Sequence, residues 1–205
     1  MIYRKIKDEN TGKIKIIPLL HIPPDKEEEF WEKNKDSGLY IKVDLVTAYP
    51  DCVKYDETNN IVYKDLKCIH QKRILRKINE YSSYTQKAIE EYLVKMDWGD
   101  NYYECMNELN STLNFVTRNL DSGTVEEIYA QYVIELHNTI EEIWLKEKDE
   151  ESKIKQTKTY TELLKFDAYS FVKNEVIPYL EKIYQKYKDY GFYRFYVSDD
   201  DGINI

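Results

Sequence analysis

The sequence predicts an α+β protein: a small N-terminal β-rich unit of hairpins and one short helix, then a bundle of three to four long antiparallel helices and a C-terminal strand. Three observations carry this expectation. Short runs of β-branched and aromatic residues, separated by turn-forming clusters, fill residues 1–65. From residue 66 onward apolar residues recur every three or four positions, which is the period of a helix. The breaks between the long periodic segments are short, and short loops make consecutive helices antiparallel neighbours. The expected divisions are 1–65 for the β-rich unit, 66–191 for the bundle and 192–205 for a closing strand with an acidic tail.

Residues 2–6 and 13–20 flank Asp8-Glu9-Asn10-Thr11-Gly12, a hairpin signal. Pro23-Pro24-Asp25 stops the strand and starts a short helix over 25–36, which ends before Gly38. Residues 39–49 are rich in β-branched and aromatic types and predict a strand. Val53–Tyr55 and Ile61–Lys64 flank Asp56-Glu57-Thr58-Asn59-Asn60, a second hairpin signal.

The first long helix is expected over 66–96, with Leu66, Ile69, Ile74, Ile78, Tyr81, Ile89, Leu93 and Met96 on its buried side. Asp97-Trp98-Gly99-Asp100 breaks it. In the second, Tyr102, Met106, Leu109, Leu113, Val116 and Leu120 follow a heptad seam. Thr124 and Glu127 have capping-box spacing ahead of a third helix. That helix carries Ile128, Tyr129, Tyr132, Val133, Leu136, Ile140 and Ile143, and runs into a charged, solvated stretch at Lys146–Lys153. A fourth helix over 160–189 contains Pro178, which predicts a kink, and Gly191 stops it. Phe192–Val197 reads as a final strand, returning to the N-terminal sheet or pairing with another chain, and Ser198–Ile205 as an acidic tail.

The chain of 205 residues carries 30 Lys and Arg against 38 Asp and Glu, a net charge of −8. No stretch approaches the roughly 18 apolar residues of a membrane span, and the charged N-terminus lacks a signal-peptide core. A protein of the bacterial host cytoplasm or of a virion is expected. Twenty tyrosines against four alanines point to an AT-rich genome, such as that of a low-GC bacterium or its phage. Cys52, Cys68 and Cys105 form no C-x-x-C pair and read as reduced thiols packed as small hydrophobes. His21, His70 and His137 fall in no metal-ligand spacing, and Cys68 with His70 lacks further ligands. No cofactor or metal is expected. The chain has six glycines and no phosphate loop, and no G-x-S-x-G elbow. Asp199-Asp200-Asp201-Gly202 lacks the rest of a calcium loop.

Pro50-Asp51 followed by Asp65-Leu66-Lys67 resembles the PD-D/E-x-K nuclease pattern. The resemblance implies that Asp51 and Asp65 hold Mg²⁺ with Lys67 near the attacking water. The same fragments recur at Pro24-Asp25 and Glu151-Ser152-Lys153, as expected by chance in so charged a chain. Lys72, Arg73, Arg76 and Lys77 form i, i+4 pairs that make a basic patch. The acidic net charge argues against direct nucleic-acid binding and for an ordinary solvated face. Tyr184, Tyr187, Tyr190, Tyr193 and Tyr196 repeat every three residues, with Phe195 beside them, as a candidate protein interface or a packed row.

The favoured expectation is a non-enzymatic assembly protein whose partners are other protein subunits, in a homo-oligomeric ring if they are copies of itself. A helical bundle with a strand-like extension is similar in architecture to phage connector and adaptor-ring proteins, in which the extension docks on a neighbouring subunit. The alternatives are an acidic inhibitor of a host defence complex that occupies a nucleic-acid-binding surface, and the metal-dependent nuclease.

Overall fold

In a computed structural model, residues 1–43, 47–120, 123 and 125–191 are described. The expected closing strand and acidic tail, and Thr124, lie outside them. The protein is mixed, with several long helices and a few antiparallel strands in two small sheets. It forms two compact units, Met1–Arg73 and the chain from Ile74 onward.

In the first unit, β1 (Ile2–Lys7) pairs antiparallel with β2 (Ile14–Pro18). Asp8 shapes the turn: its carboxylate accepts from the backbone N–H groups of Asn10 and Thr11 and pairs with Lys15. Helix α1 (Glu27–Asn34) follows a 3₁₀ turn that begins at Pro24. The left-handed Gly38, at φ 71°, then admits β3 (Tyr40–Lys42) on the free side of β1. The ladder at β3 holds three residues, so the expected strand over 39–49 is much shorter; 44–46 lie outside the described residues, and Pro50–Cys52 is a 3₁₀ turn. The second hairpin, β4 (Val53–Asp56) and β5 (Ile61–Lys64), pairs Val53 with Lys64 and Asp56 with Ile61.

Strand alternation sorts the side chains of this unit into layers. Tyr3 and Ile41, paired across β1 and β3, join Ile16, Val43, Val53 and Val62 in one small core between sheet and hairpin. Lys5, two residues on from Tyr3, reaches over the Tyr55 ring of β4. Helix α1 meets β3 and the N-terminus: Phe30 lies edge-on to Tyr40, Glu28 pairs with Lys42, and Glu27 pairs with the Met1 ammonium at 3.1 Å.

Helix α2 (Leu66–Lys95) ends in a Schellman arrangement. The Trp98 N–H donates to the Leu93 carbonyl and the Asp97 N–H to that of Val94, with Asp97 left-handed at φ 59°. The apolar residue after the cap is therefore Trp98, which packs fully buried beside Leu93. Helix α3 (Tyr102–Asn119) starts at once, capped by Asn101, whose side chain accepts from the Glu104 N–H. Met106, Leu109 and Val116 of its seam are buried, as is the polar Thr112. Leu66 and Leu120, expected inside, are exposed because each sits at a helix end, where the buried stripe has run out.

Helix α4 (Glu127–Gln156) has Glu126 as its N-cap and no side-chain cap. Glu127 is thus its first residue, and Thr124 of the expected capping box lies outside the described residues. The expected solvated stretch at 146–153 stays helical and turns Glu147 inward, with Ile154 beyond it fully buried. The expected fourth helix is divided. Thr159 and Glu162 make a capping box for α5 (Tyr160–Leu163). Asp167 then caps α6 (Ala168–Phe171) by accepting from the Tyr169 N–H, because a short polar side chain competes for helix-interior donors. A π turn at Val172–Val176 leads into α7 (Ile177–Tyr187), and Pro178, lacking an N–H, sits in its first turn. The irregularity therefore precedes the proline. A left-handed Gly191, at φ 64°, ends the segment as expected.

Burial of one face from each long helix makes a single core in which Trp98 and Tyr132 are central. The Trp98 indole N–H donates to the Tyr132 hydroxyl at 3.2 Å, and Tyr187 stacks at 5.2 Å from Tyr132. Burial pushes the Tyr132 phenol up to about 12. Tyr132→Phe is expected to strand the indole donor and lower stability by about 1–3 kcal/mol in urea unfolding. Asp97→Gly relieves a left-handed side chain and is expected to raise stability by about 1 kcal/mol in the same measurement.

Candidate functional site

The hairpin base brings Asp51, Asp65 and Lys67 into one region but gives the two aspartates separate tasks. The register that pairs Val53 with Lys64 extends one step, and the Asp65 N–H donates to the Cys52 carbonyl at 2.8 Å. Asp65 caps α2 through its carboxylate, which accepts from the Cys68 N–H at 3.0 Å. Asp51, in the 3₁₀ turn, pairs with Lys72 one turn further along α2. That hydrogen bond holds the Asp51 carboxyl below its ordinary value. Lys67 is exposed in the first turn of α2. Among the described residues no group of three or more His, Cys, Asp or Glu side chains is placed to hold a metal ion.

The same geometry overturns the reading of Cys52 and Cys68 as reduced thiols. They form a disulfide with Cα atoms 5.5 Å apart. One turn of α2 carries Cys68 back over Cys52, a closeness that their separation of 16 residues does not reveal. The signal was available in the hairpin register combined with a helical turn. Cys105 is the free cysteine, fully buried in α3, and burial raises its thiol pKa.

Of the expected basic patch, Lys72 is paired with Asp51 and Lys77 with Glu80, while Arg76 is exposed and Arg73 half-buried. The tyrosine row is divided as well. Tyr187 belongs to the core, Tyr184 is half-buried under the Lys95 ammonium, and Tyr190 is exposed. Tyr193, Phe195 and Tyr196 lie outside the described residues. A helix presents every third residue to neighbouring but different directions, so a three-residue repeat cannot keep one face.

Helix α4 runs antiparallel to the π turn and α7, as the cross-pairs show: Glu135 meets Lys186 of α7 and Lys146 meets Glu175 of the π turn. Between these pairs lies a cleft of about 410 Å³ lined by Thr139, Glu142, Tyr179 and Lys182, with both signs of charge. A second cleft, about 440 Å³ and more open, lies along α1 between Ile22, Lys26, Phe30 and Lys33. Neither gathers several acids toward one point.

Glu147 is the one buried acid among the described residues. Desolvation raises its pKa, and the hydroxyls of Ser82 and Thr85 on α2 face it and partly offset that. Its position could have been read from the sequence, since it continues the spacing of Ile140 and Ile143 toward Ile154. No helix among the described residues is long and apolar enough to cross a membrane. Comparison with protein families, curated proteins and solved structures yields no match.

Because the folded pKa of Glu147 lies above its unfolded value, the folded state binds the proton more readily. Its contribution to stability is therefore most favourable below the unfolded value and is lost as pH rises through the folded one. Glu147→Gln removes this titration. Its urea midpoint relative to wild type is expected to move upward as pH goes from about 4.5 to about 8. A pH-independent gap would show that the carboxyl does not titrate against folding.

Proposed function

We propose that this protein is a non-enzymatic assembly component that recognises other protein subunits through its β-rich unit. The carrying observation is the outer face of the second hairpin. Along β5, Val62 turns into the small core, so Ile61 and Tyr63 point the other way and remain 53% and 48% exposed. Leu66, just beyond the strand, is 75% exposed. Three large apolar side chains within six residues, two on a closed hairpin and one at the start of α2, are what an interface uses: apolar area held in place before contact, at little further entropic cost. The remainder of the reading is a virion structural component of connector or adaptor-ring type, in which such an extension docks on a neighbouring copy. It rests on architectural likeness and on the AT-rich composition.

Light scattering on the purified full chain tests this. A ring or other discrete oligomer is expected, and Ile61→Glu with Tyr63→Glu is expected to shift it to monomer with an unchanged circular dichroism spectrum. A wild-type monomer at every concentration tried, or an oligomer indifferent to both substitutions, removes the basis for the reading.

A further inference from the structure

We propose that the Cys52–Cys68 disulfide is a redox latch that closes the base of the β4–β5 hairpin and so keeps the hairpin folded against the N-terminal sheet. The hairpin has two strands of four residues, a size that is marginal without support. Its share of the core is two valines, Val53 and Val62, set against Tyr3, Ile16, Ile41 and Val43. The Lys5–Tyr55 cation–π contact adds a weak tie to the sheet, and the Asp51–Lys72 ion pair beside the hairpin base is solvent-exposed. The covalent bond spans the open end of the hairpin, one residue before β4 and four after β5, so it closes the whole excursion into a loop. Removing it restores to this segment the freedom that a loop of this size loses on closure.

The two sulfurs differ in access. Cys52 is fully buried, whereas Cys68 is partly exposed. A thiolate of a dithiol reductant therefore attacks Sγ of Cys68. The S–S bond breaks, and Cys52 leaves as a thiolate that takes up a proton. The second thiol of the reductant then attacks the reductant's own sulfur in the mixed disulfide and releases Cys68, which is protonated in turn. Two electrons and two protons pass to the protein, and the reductant becomes its cyclic disulfide. Cys105 does not replace either partner, being fully buried within the helical unit. In the reduced state the hairpin opens from the sheet and uncovers Tyr3. The helical unit keeps its fold, because its core contains no residue of the hairpin.

Hydrogen exchange followed by mass spectrometry on the full-length protein, air-oxidised and then treated with dithiothreitol, provides the test. Reduction is expected to speed exchange over 50–65 and over β1 by roughly tenfold to a hundredfold. Peptides from α3 should be unaffected. Cys52→Ala with Cys68→Ala should reproduce the fast exchange without reductant and show no further response to it. Should that variant fail to fold, the wild-type pair of states still decides. Three alkylatable thiols in the air-oxidised protein under denaturing conditions would overturn the proposal. So would unchanged hairpin exchange after reduction, or acceleration spread equally through α3.

Discussion

Asp65 makes three bonds at the point where the β-rich segment becomes helical. Its backbone N–H closes the hairpin ladder on the Cys52 carbonyl, its carboxylate caps α2 at the Cys68 N–H, and its own carbonyl accepts the first intrahelical bond from Ile69. One residue therefore ends the strand register and sets the start of the helix, and the phase of α2 follows from it. Cys68 falls over Cys52 and Lys72 over Asp51 because they sit three and seven residues beyond that cap. An aspartate placed to ligate a metal in the nuclease pattern is thereby occupied as the joint between two kinds of secondary structure.

The helical unit depends on a different economy. Its core is rich in aromatic rings with polar tips, and burial raises the phenol pKa of Tyr81 and Tyr132 to about 12, keeping both neutral. Trp98 reaches this core only because the α2 cap forces the chain through a left-handed residue and back inward. A breaker motif at the sequence level is, in three dimensions, both a turn and a core anchor.

Charge plays a local part. Many ion pairs join residues three or four apart on one helix, as in Lys33–Glu29 and Lys155–Glu151, and such exposed pairs add little stability. They neutralise much of a highly charged surface close to home. Large apolar side chains also remain on this surface, Ile61 and Tyr63 of the second hairpin among them.

The order and kind of most elements were legible from residues alone. Period-two runs bounded by turn clusters marked both hairpins, and period-3.6 runs marked α2, α3 and α4, because these patterns arise from backbone geometry that each segment carries by itself. The burial of Glu147 was missed, because the charge of Lys146–Lys153 read as solvated although the apolar spacing ran on through it. Other features depend on groups that meet only after folding. The disulfide required a hairpin register and a helical turn to act together. Asp167 and the π turn divided the last helix where helical periodicity alone ran on. Tyr187 went to the core and Tyr190 to solvent because the azimuth of a side chain matters, and a spacing of three does not preserve it. Local sequence decides conformations whose hydrogen bonds close within a few residues; contacts between distant residues are settled by the packing of whole elements.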